Sequence, residues 1–404
     1  MQCVIFVHPT LSVDYMLRQA RKRGCAIVSI ITALESTRIE VEFLHTKSDF
    51  VFTGSANPEN DLPGIKNLLH EEGLIPFAII NGIDSAIYYT DFLQRELLGY
   101  NLNLEASRIR LNKYQVNRTL AASGLKTIPG IEIQSKGGLD EKLSIIKTFG
   151  LPLVAKPSEN TAAMSGFRVL ERLDDLERYL DEYLGAKNPY YVDQFIDKVL
   201  VQKYIPENAF SEYIIDAVSF DGHHHCCGIV EERKSRESAD LSIYRYCVPH
   251  NLRELPQIEP VIDYVRDCLD ALQVRYGITH NEVFWNAADQ FFLVESNSRV
   301  PGNALCELYD IAFGRDPLKD YFCLADHHVL EEVPHRKSFG LTMDLYNRST
   351  ERATRINVED IASFREIIHF RKPDPNPADF YLSYTRADHI SASILLANNS
   401  PEQL

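Results

Sequence analysis

Over the first hundred residues short apolar runs alternate with amphipathic ones, the pattern of an α/β layer built on a parallel sheet. CVIFVH (residues 3–8) predicts a strand, residues 11–23 a helix that stops at Gly24, and AIVSIIT (26–32) the next strand. Glycine stands where the left-handed turn after a helix needs it. NLLHEEG followed by PFAIING (76–82) repeats the scheme. No GxGxxG follows the first strand, so nothing there predicts a dinucleotide site.

From about Leu111 the texture changes. KYQVNRTLAASG predicts a helix, TIPGIEI a strand, DEKLSIIKTFG a helix and LPLVAKP a strand, with Gly124 and Gly150 at the helix ends. DDLERYLDEYLG is a further helix; VLVQKYI and EYIIDAVSF are strands, and the Asp221-Gly222 turn before HHHCCGIVEERK is a hairpin signal. Ile262, Val265, Leu269 and Leu272 have helical spacing, which predicts an amphipathic helix within 256–277 packed on this antiparallel α+β region. From about Pro334 onward a mixed α/β tail is expected; it contains the proline-rich KPDPNPADF and no motif that carries chemistry. There is no internal repeat or low-complexity segment.

With 404 residues the chain exceeds what one core accommodates, so two or three domains are expected. Lys and Arg total 42 against 57 Asp and Glu, a formal charge of -15, which argues against general affinity for nucleic acid or anionic membrane. A polyanion such as ATP would need locally placed cations. No run approaches the roughly 18 apolar residues of a membrane span, and MQCVIFVHPTLS lacks the basic and apolar regions of a leader, so a cytoplasmic location is expected. The 8 cysteines show no CxxC spacing and fit reduced thiols. The run His223-His224-His225-Cys226-Cys227 suggests zinc only superficially, because consecutive strand residues point to opposite faces and no second cluster completes a tetrahedral site.

The segment HNEVFWNAADQFFLVESNSR carries the chemistry. Pairing Asn286 with Phe291 across residues 287–290 sets Glu282 opposite Glu295, and the period of two places Asn297 on the same face. Opposed carboxylates repel and call for a counter-charge, and hard oxygen ligands suit Mg²⁺ (or Mn²⁺) held together with substrate phosphates. Two arbitrary glutamates on a hairpin are more often a solvated face. Arg299, two residues beyond Asn297, overturns that reading by adding a guanidinium fork for a carboxylate or phosphoryl oxygen.

These residues resemble the ATP-grasp superfamily. Glu295-Ser-Asn297-Ser-Arg299 is similar to its E-x-N-x-R signature, and Gly277-Ile-Thr-His280-Asn-Glu282 to the preceding G-x-x-H-x-E strand. Upstream and in the family's order, Asn112-Lys113 resembles the pair that opens the helix before the small A-subdomain, and Val154-Ala-Lys156-Pro157 the V-x-K-P strand. SENTAAMSGF (158–167) resembles the phosphate-covering loop; it keeps Ser165-Gly166 but has Ala162 and Ala163 where glycine is frequent. Gln202-Lys203-Tyr204-Ile205 resembles the adenine hinge, and Glu212 the acidic residue that accepts from the ribose. The resemblance spans roughly residues 111–330. It implies an ATP-grasp fold of α/β and α+β layers: an N-terminal Rossmann-like (pre-ATP-grasp) domain at 1–110, an A-subdomain with lid and nucleotide loop at 111–200, and a C-terminal domain at 201–404 with the metal-binding hairpin and the tail.

For function, the resemblance implies ATP and Mg²⁺ (or Mn²⁺) as cofactors, with Lys113 and Lys156 on the phosphates and Glu282, Glu295 and Asn297 on the metal. Arg299, with Arg233 or Lys234, would stabilise an acyl phosphate, and His280 or a carboxylate is a candidate base. The expected activity is ATP-dependent carboxylate–amine ligation, forming an amide through an acyl phosphate and releasing ADP and phosphate. Among superfamily members the chain is most similar to the dipeptide-forming L-amino-acid ligases, which implies small-molecule amino-acid substrates; a homodimer is the commonest symmetric assembly. A ligase joining an amino acid to another amine or a natural-product intermediate would keep every residue named. A non-catalytic nucleotide-binding regulator would have lost metal ligands or lysines, and all are present.

Overall fold

The N-terminal apolar runs form a parallel sheet of β1 (Gln2–Val7), β2 (Ala26–Ile31), β3 (Phe50–Thr53) and β4 (Ile75–Asn81), in the order β3-β2-β1-β4. This computed structural model describes the chain apart from residues 11, 35–40, 138, 160–165, 189–193, 207, 239–240, 251–254, 256, 287, 289, 303, 331–337, 347–366, 372–389 and 399–404. At 41–42, 234–238, 241–248, 339, 341–346, 367–371 and 390–398 it describes the backbone alone. Alternation along β1 explains the layering. Val4 and Phe6 pack with helix Val13–Lys22 and with Leu318, Tyr321 and Phe322 from far along the chain, while Cys3, Ile5 and Val7 pack with Ile65, Tyr89, Phe92 and Leu93 on the other face. The first helix ends as expected, with Gly24 in the left-handed region at φ 73°. Strand β3 went unpredicted because FVFT is too short for a period to register.

A second sheet holds β5 (Gly130–Ile133), β6 (Leu153–Pro157), β7 (Arg168–Leu170) and β8 (Val199–Lys203) in the antiparallel order β5-β8-β6-β7. Helices Leu139–Ile146 and Leu173–Tyr183 cover it through Ile146, Leu176, Tyr179 and Leu180. The third sheet has eight strands: β9 (Ser211–Phe220), β10 (His223–Ser238), β11 (Leu241–Pro249), β12 (Gly277–Trp285), β13 (Phe291–Asn297), β14 (Phe339–Tyr346), β15 (Ile367–Arg371) and β16 (Ile390–Asn398). Their order is β13-β12-β9-β10-β11-β14-β16-β15, antiparallel throughout.

Helix Glu259–Ala271 buries Ile262, Val265 and Leu269, with Leu272 just beyond it, against Tyr213, Ile215, Ala217 and Val283 of the third sheet, as its spacing predicts. The opposite face carries Glu212, Ile214 and Asp216 on β9 beside Phe284, Glu282 and His280 on β12. Helix Leu305–Phe313 closes one end of that face, and Gly228 of β10 makes room for it: a Cβ there would lie 2.3 Å from the Tyr309 ring. Among the described residues beyond Pro334 the elements are strands; KPDPNPADF lies outside the described residues.

Candidate active site

The hairpin reaches the expected pairing by an unexpected route. Trp285, not Asn286, pairs with Phe291, and the ladder runs Phe284·Phe292 and Val283·Leu293 before a one-residue shift restores Glu282·Glu295 and His280·Asn297. The turn is one residue tighter than its sequence suggests because Asn286 closes it. Its N–H donates to the Gln290 carbonyl at 3.1 Å, and its Oδ1 accepts from Ala288 and Gln290 at 3.1 and 3.0 Å. The spare residue reappears as a bulge at Val294, immediately before Glu295, a device that re-aims the side chains beside it.

Cations converge on this pair. Asn112 caps helix Lys113–Ala122, its Oδ1 accepting from Gln115 N–H at 2.9 Å, and its Nδ2 donates to Glu132 at 3.0 Å and to Glu159. Lys113 N–H donates to the Ser158 carbonyl at 2.9 Å, which locks the helix start to the end of β6 and delivers the Lys113 ammonium to 3.1 Å from Glu295 Oε1. Lys156, from β6, faces the same group: burial depresses its pKa and Lys113 adds to that, while Glu295, Glu282 and Glu212 oppose them. Burial works to raise the Glu295 carboxyl, but Lys113, Lys156 and Arg299 together hold it below the usual range. One cluster thus collects Lys113, Lys156, Glu212, Glu282, Glu295 and Arg299.

Arg299 is aimed by the N-terminal sheet. Asp84, in the turn after β4, accepts from Arg299 Nε at 2.9 Å, and Arg299 also donates to the Val300 carbonyl at 3.2 Å. The connecting residues are braced on both sides. Asn81 Nδ2 donates to the Ser298 carbonyl at 2.6 Å, Val300 N–H to the Asn81 carbonyl at 3.4 Å, and Arg110 to Ser298 Oγ at 2.9 Å while its other end pairs with buried Asp91. A cleft between these elements is lined by Asp84, Ser85, Lys113, Glu295 and Asn297.

His280 lies in a buried chain: Tyr309 Oη donates to Asp216 Oδ2, and Asp216 Oδ1 meets His280 Nδ1 at 2.8 Å. That fixes the ring so that Nε2 faces Glu282 Oε1 at 3.9 Å. Asp216 is fully buried, and only the fold reveals it, since a lone Asp in a strand gives no signal. Asp84, Tyr309 and Glu232, which pairs across β9 and β10 with Glu212, are further members that sequence reasoning missed. An acid just past the end of a strand is the one cue that could have pointed to Asp84.

Other expected residues fall elsewhere. Arg233 shares the parity of Glu231, opposite Tyr213 on the face that packs against helix Glu259–Ala271, and pairs with Glu231. The side chain of Lys234, and Ser165 with most of the 158–167 loop, lie outside the described residues. Gly166 is left-handed at φ 75°, and its carbonyl accepts from Tyr179 Oη. Gln202 and Lys203 end β8, with Gln202 and Ile205 buried, Tyr204 half-buried and Lys203 exposed. His224 bonds to Ser219 at 2.7 Å and faces Asp270 at 3.2 Å, while Cys226 and Cys227 are buried free thiols. Among the described residues no three His, Cys, Asp or Glu side chains form a metal-holding group, and no helix is long and apolar enough to cross a membrane.

Comparison with known proteins agrees with this layout. The ATP-grasp domain family matches residues 149–307. A 224-residue stretch is 26% identical to the uncharacterized protein y4rH of Sinorhizobium fredii, covering 53% of this chain and 41% of that protein, so the match spans about two fifths of the relative's length. Among solved structures, L-amino acid ligase from Bacillus licheniformis superposes with a TM-score of 0.77 at 14% identity, covering 100% of this chain and 94% of that one. N5-carboxyaminoimidazole synthetase from Staphylococcus aureus, complexed with ADP, gives 0.71 at 14% over 100% and 94%. The biotin carboxylase domain of Hydrogenobacter thermophilus 2-oxoglutarate carboxylase, in complex with MgADP and bicarbonate, gives 0.65 at 14% over 98% and 86%. This chain carries an ATP-grasp domain at residues 149–307 and has the ATP-grasp fold.

Proposed function

We propose that the chain is an ATP-dependent carboxylate–amine ligase, and within that class an L-amino-acid ligase that joins two amino acids. The observation that carries the reading is the Glu282·Glu295 pair ringed by Lys113, Lys156 and Arg299. The donor set fits Mg²⁺: two carboxylates and the Asn297 amide are too few for an all-protein cage and suit an ion that keeps waters and phosphates as its other ligands. The Lys113 ammonium already stands in as a cation at Glu295. Bound there, Mg²⁺ supplies neutralisation of the nucleotide's phosphate charge.

The chain's own residues do the rest. Lys113 and Lys156 hold phosphate oxygens as point charges, and Gln202 to Ile205 with Glu212 hold adenine and ribose. Arg299, its Nε fixed by Asp84, orients the substrate carboxylate in line with the γ-phosphorus and stabilises the acyl phosphate and the oxyanion formed on amine attack. No protein nucleophile is needed. The test is product analysis with ATP, Mg²⁺ and paired amino acids. The proposal requires amine-dependent release of ADP and phosphate with a dipeptide detected by mass; AMP as product, or no turnover with any pair, sinks it.

A further inference from the structure

The loops at the carboxyl ends of β1 and β4 hold a cluster of buried polar atoms without partners: His8 Nε2, Thr10 Oγ1, Asp84 Oδ1 and Ser85 Oγ. Unpaired buried polar atoms destabilise a fold, so four on two adjoining loops call for an explanation. The sheet order β3-β2-β1-β4 puts its switch point between β1 and β4, the crevice where open α/β sheets take ligands.

The two loops touch each other and the Arg299 segment. Gly82 N–H donates to the Val7 carbonyl at 2.9 Å, and a Cβ on Gly82 would lie 2.5 Å from the His8 carbonyl oxygen and from Pro9 Cα. Ser12 Oγ donates to the Pro301 carbonyl at 2.8 Å, and Asp84 Oδ2 holds Arg299. His8 and Ser12 keep left-handed backbones at φ 49° and 50°, which fixes the course of this loop.

The unpaired atoms are of complementary kinds. His8 Nδ1 lies 2.8 Å from the Thr32 hydroxyl, which can give or take a proton, and 3.2 Å from the Thr32 backbone N–H, which can only donate; on the latter contact we assign Nδ1 as the acceptor and the proton of the neutral ring to Nε2. Burial keeps the ring neutral, its pKa pushed down to about 4. His8 Nε2–H and the Thr10 hydroxyl are therefore donors, while Asp84 Oδ1 is an acceptor carrying negative charge, with Ser85 Oγ beside it at the cleft that Lys113, Glu295 and Asn297 also line.

We propose that this crest binds the amine-donating substrate and that this substrate is an amino acid. Its ammonium group is received by Asp84 Oδ1 and Ser85 Oγ, and its own carboxylate by His8 Nε2–H and Thr10 Oγ1. Asp84 then bridges Arg299 and the nitrogen of the amine-donating substrate. The assignment rests on the ligase reading for its role in turnover, but binding at the crest can be measured without nucleotide.

The experiment is calorimetric titration of the full chain with each of the twenty L-amino acids. The best binder is then compared with its desamino acid and its decarboxylated amine. The expected result is binding of at least one amino acid, with each truncated analogue at least tenfold weaker. Asp84→Asn should bring the amino acid and its desamino analogue to within about threefold of each other, and His8→Phe should do the same for the decarboxylated amine. Ser85→Ala tells an empty role from a ligand role: it should melt at or above the wild-type temperature, since an unpaired buried hydroxyl is gone, yet bind the amino acid more weakly. Absence of binding by any amino acid, or unchanged affinity and discrimination in correctly melting Asp84→Asn and Ser85→Ala proteins, overturns the proposal. Amine-dependent ADP release with an unchanged amine KM in those variants would overturn it while leaving the ligase reading standing.

Discussion

Lys113→Met offers a prediction that runs against the usual effect of deleting an active-site lysine. In the free protein the Lys113 ammonium lies 3.1 Å from Glu295 Oε1, the side chains being 15% and 26% exposed. At an effective dielectric constant of about 20, two unit charges at that distance attract by about 5 kcal/mol before desolvation and screening. A pair this partly buried lies between exposed pairs, worth about 0 to 1 kcal/mol, and fully buried ones, whose disruption costs about 3 to 5 kcal/mol. We take about 1.4 to 3 kcal/mol as what a dication must overcome to displace the lysine, which is tenfold or more in affinity. Lys113→Met should therefore tighten Mn²⁺ binding to the nucleotide-free chain by at least tenfold, read by titration calorimetry or loss of the free-ion paramagnetic signal. The same variant should bind ADP at least tenfold more weakly, because the phosphate contact proposed for Lys113 is gone. The helix start is held by Asn112 and by a backbone bond to Ser158, so folding should survive. Mn²⁺ affinity equal to or below wild type would refute the view that lysine and metal compete for Glu295.

Glu295→Gln should lower turnover by at least about a thousandfold while the melting temperature shows a folded protein; retained turnover would remove Glu295 from the metal site. Gly228→Ala places a Cβ 2.3 Å from the Tyr309 ring, so it should cost about 1 to 3 kcal/mol in denaturant unfolding and disturb the Asp216–His280 chain behind Glu282. An unchanged midpoint would show that the helix yields freely. Acid stability follows from His8. Its neutral form is favoured in the fold and its pKa drops from 6.5 to about 4, so the unfolded chain binds the extra proton and stability falls as pH drops from 6.5 towards 4. The 2.5-unit gap corresponds to about 3 kcal/mol, to which the partly buried His224 and His225 add in the same direction. His8→Asn should flatten the midpoint-against-pH curve over that window; an identical slope would contradict the burial argument.

The sequence discloses this site unevenly, for physical reasons. Glu282, Glu295 and Asn297 are legible because strand pairing is arithmetic: two short strands and a turn admit few registers. The route to that register was misjudged, since Asn286 tightens the turn through its own side chain and the surplus residue moves into a bulge at Val294. Arg233 and Lys234 could not be told apart from spacing, because the pairing of Arg233 with Glu231 depends on the face each takes in the folded strand. Asp84, Asp216 and Tyr309 stayed hidden because their partners are far along the chain: Asp84 meets Arg299 across 215 positions, and Tyr309 meets Asp216 across 93. Helices 11–23 and 256–277 were legible because their apolar faces repeat locally, whereas the eight-stranded order depends on non-local pairing that no window contains.

The long reach from Asp84 to Arg299 also orders events in time. Lys113 meets Glu295 across 182 positions, a closure of the same order as the one from Asp84 to Arg299. The guanidinium acquires its aim only when the first sheet docks on the far end of the hairpin, a closure that spans more than half the protein and is slow for that reason. In the newborn protein the N-terminal sheet waits for some two hundred residues to be made before it meets the arginine it positions.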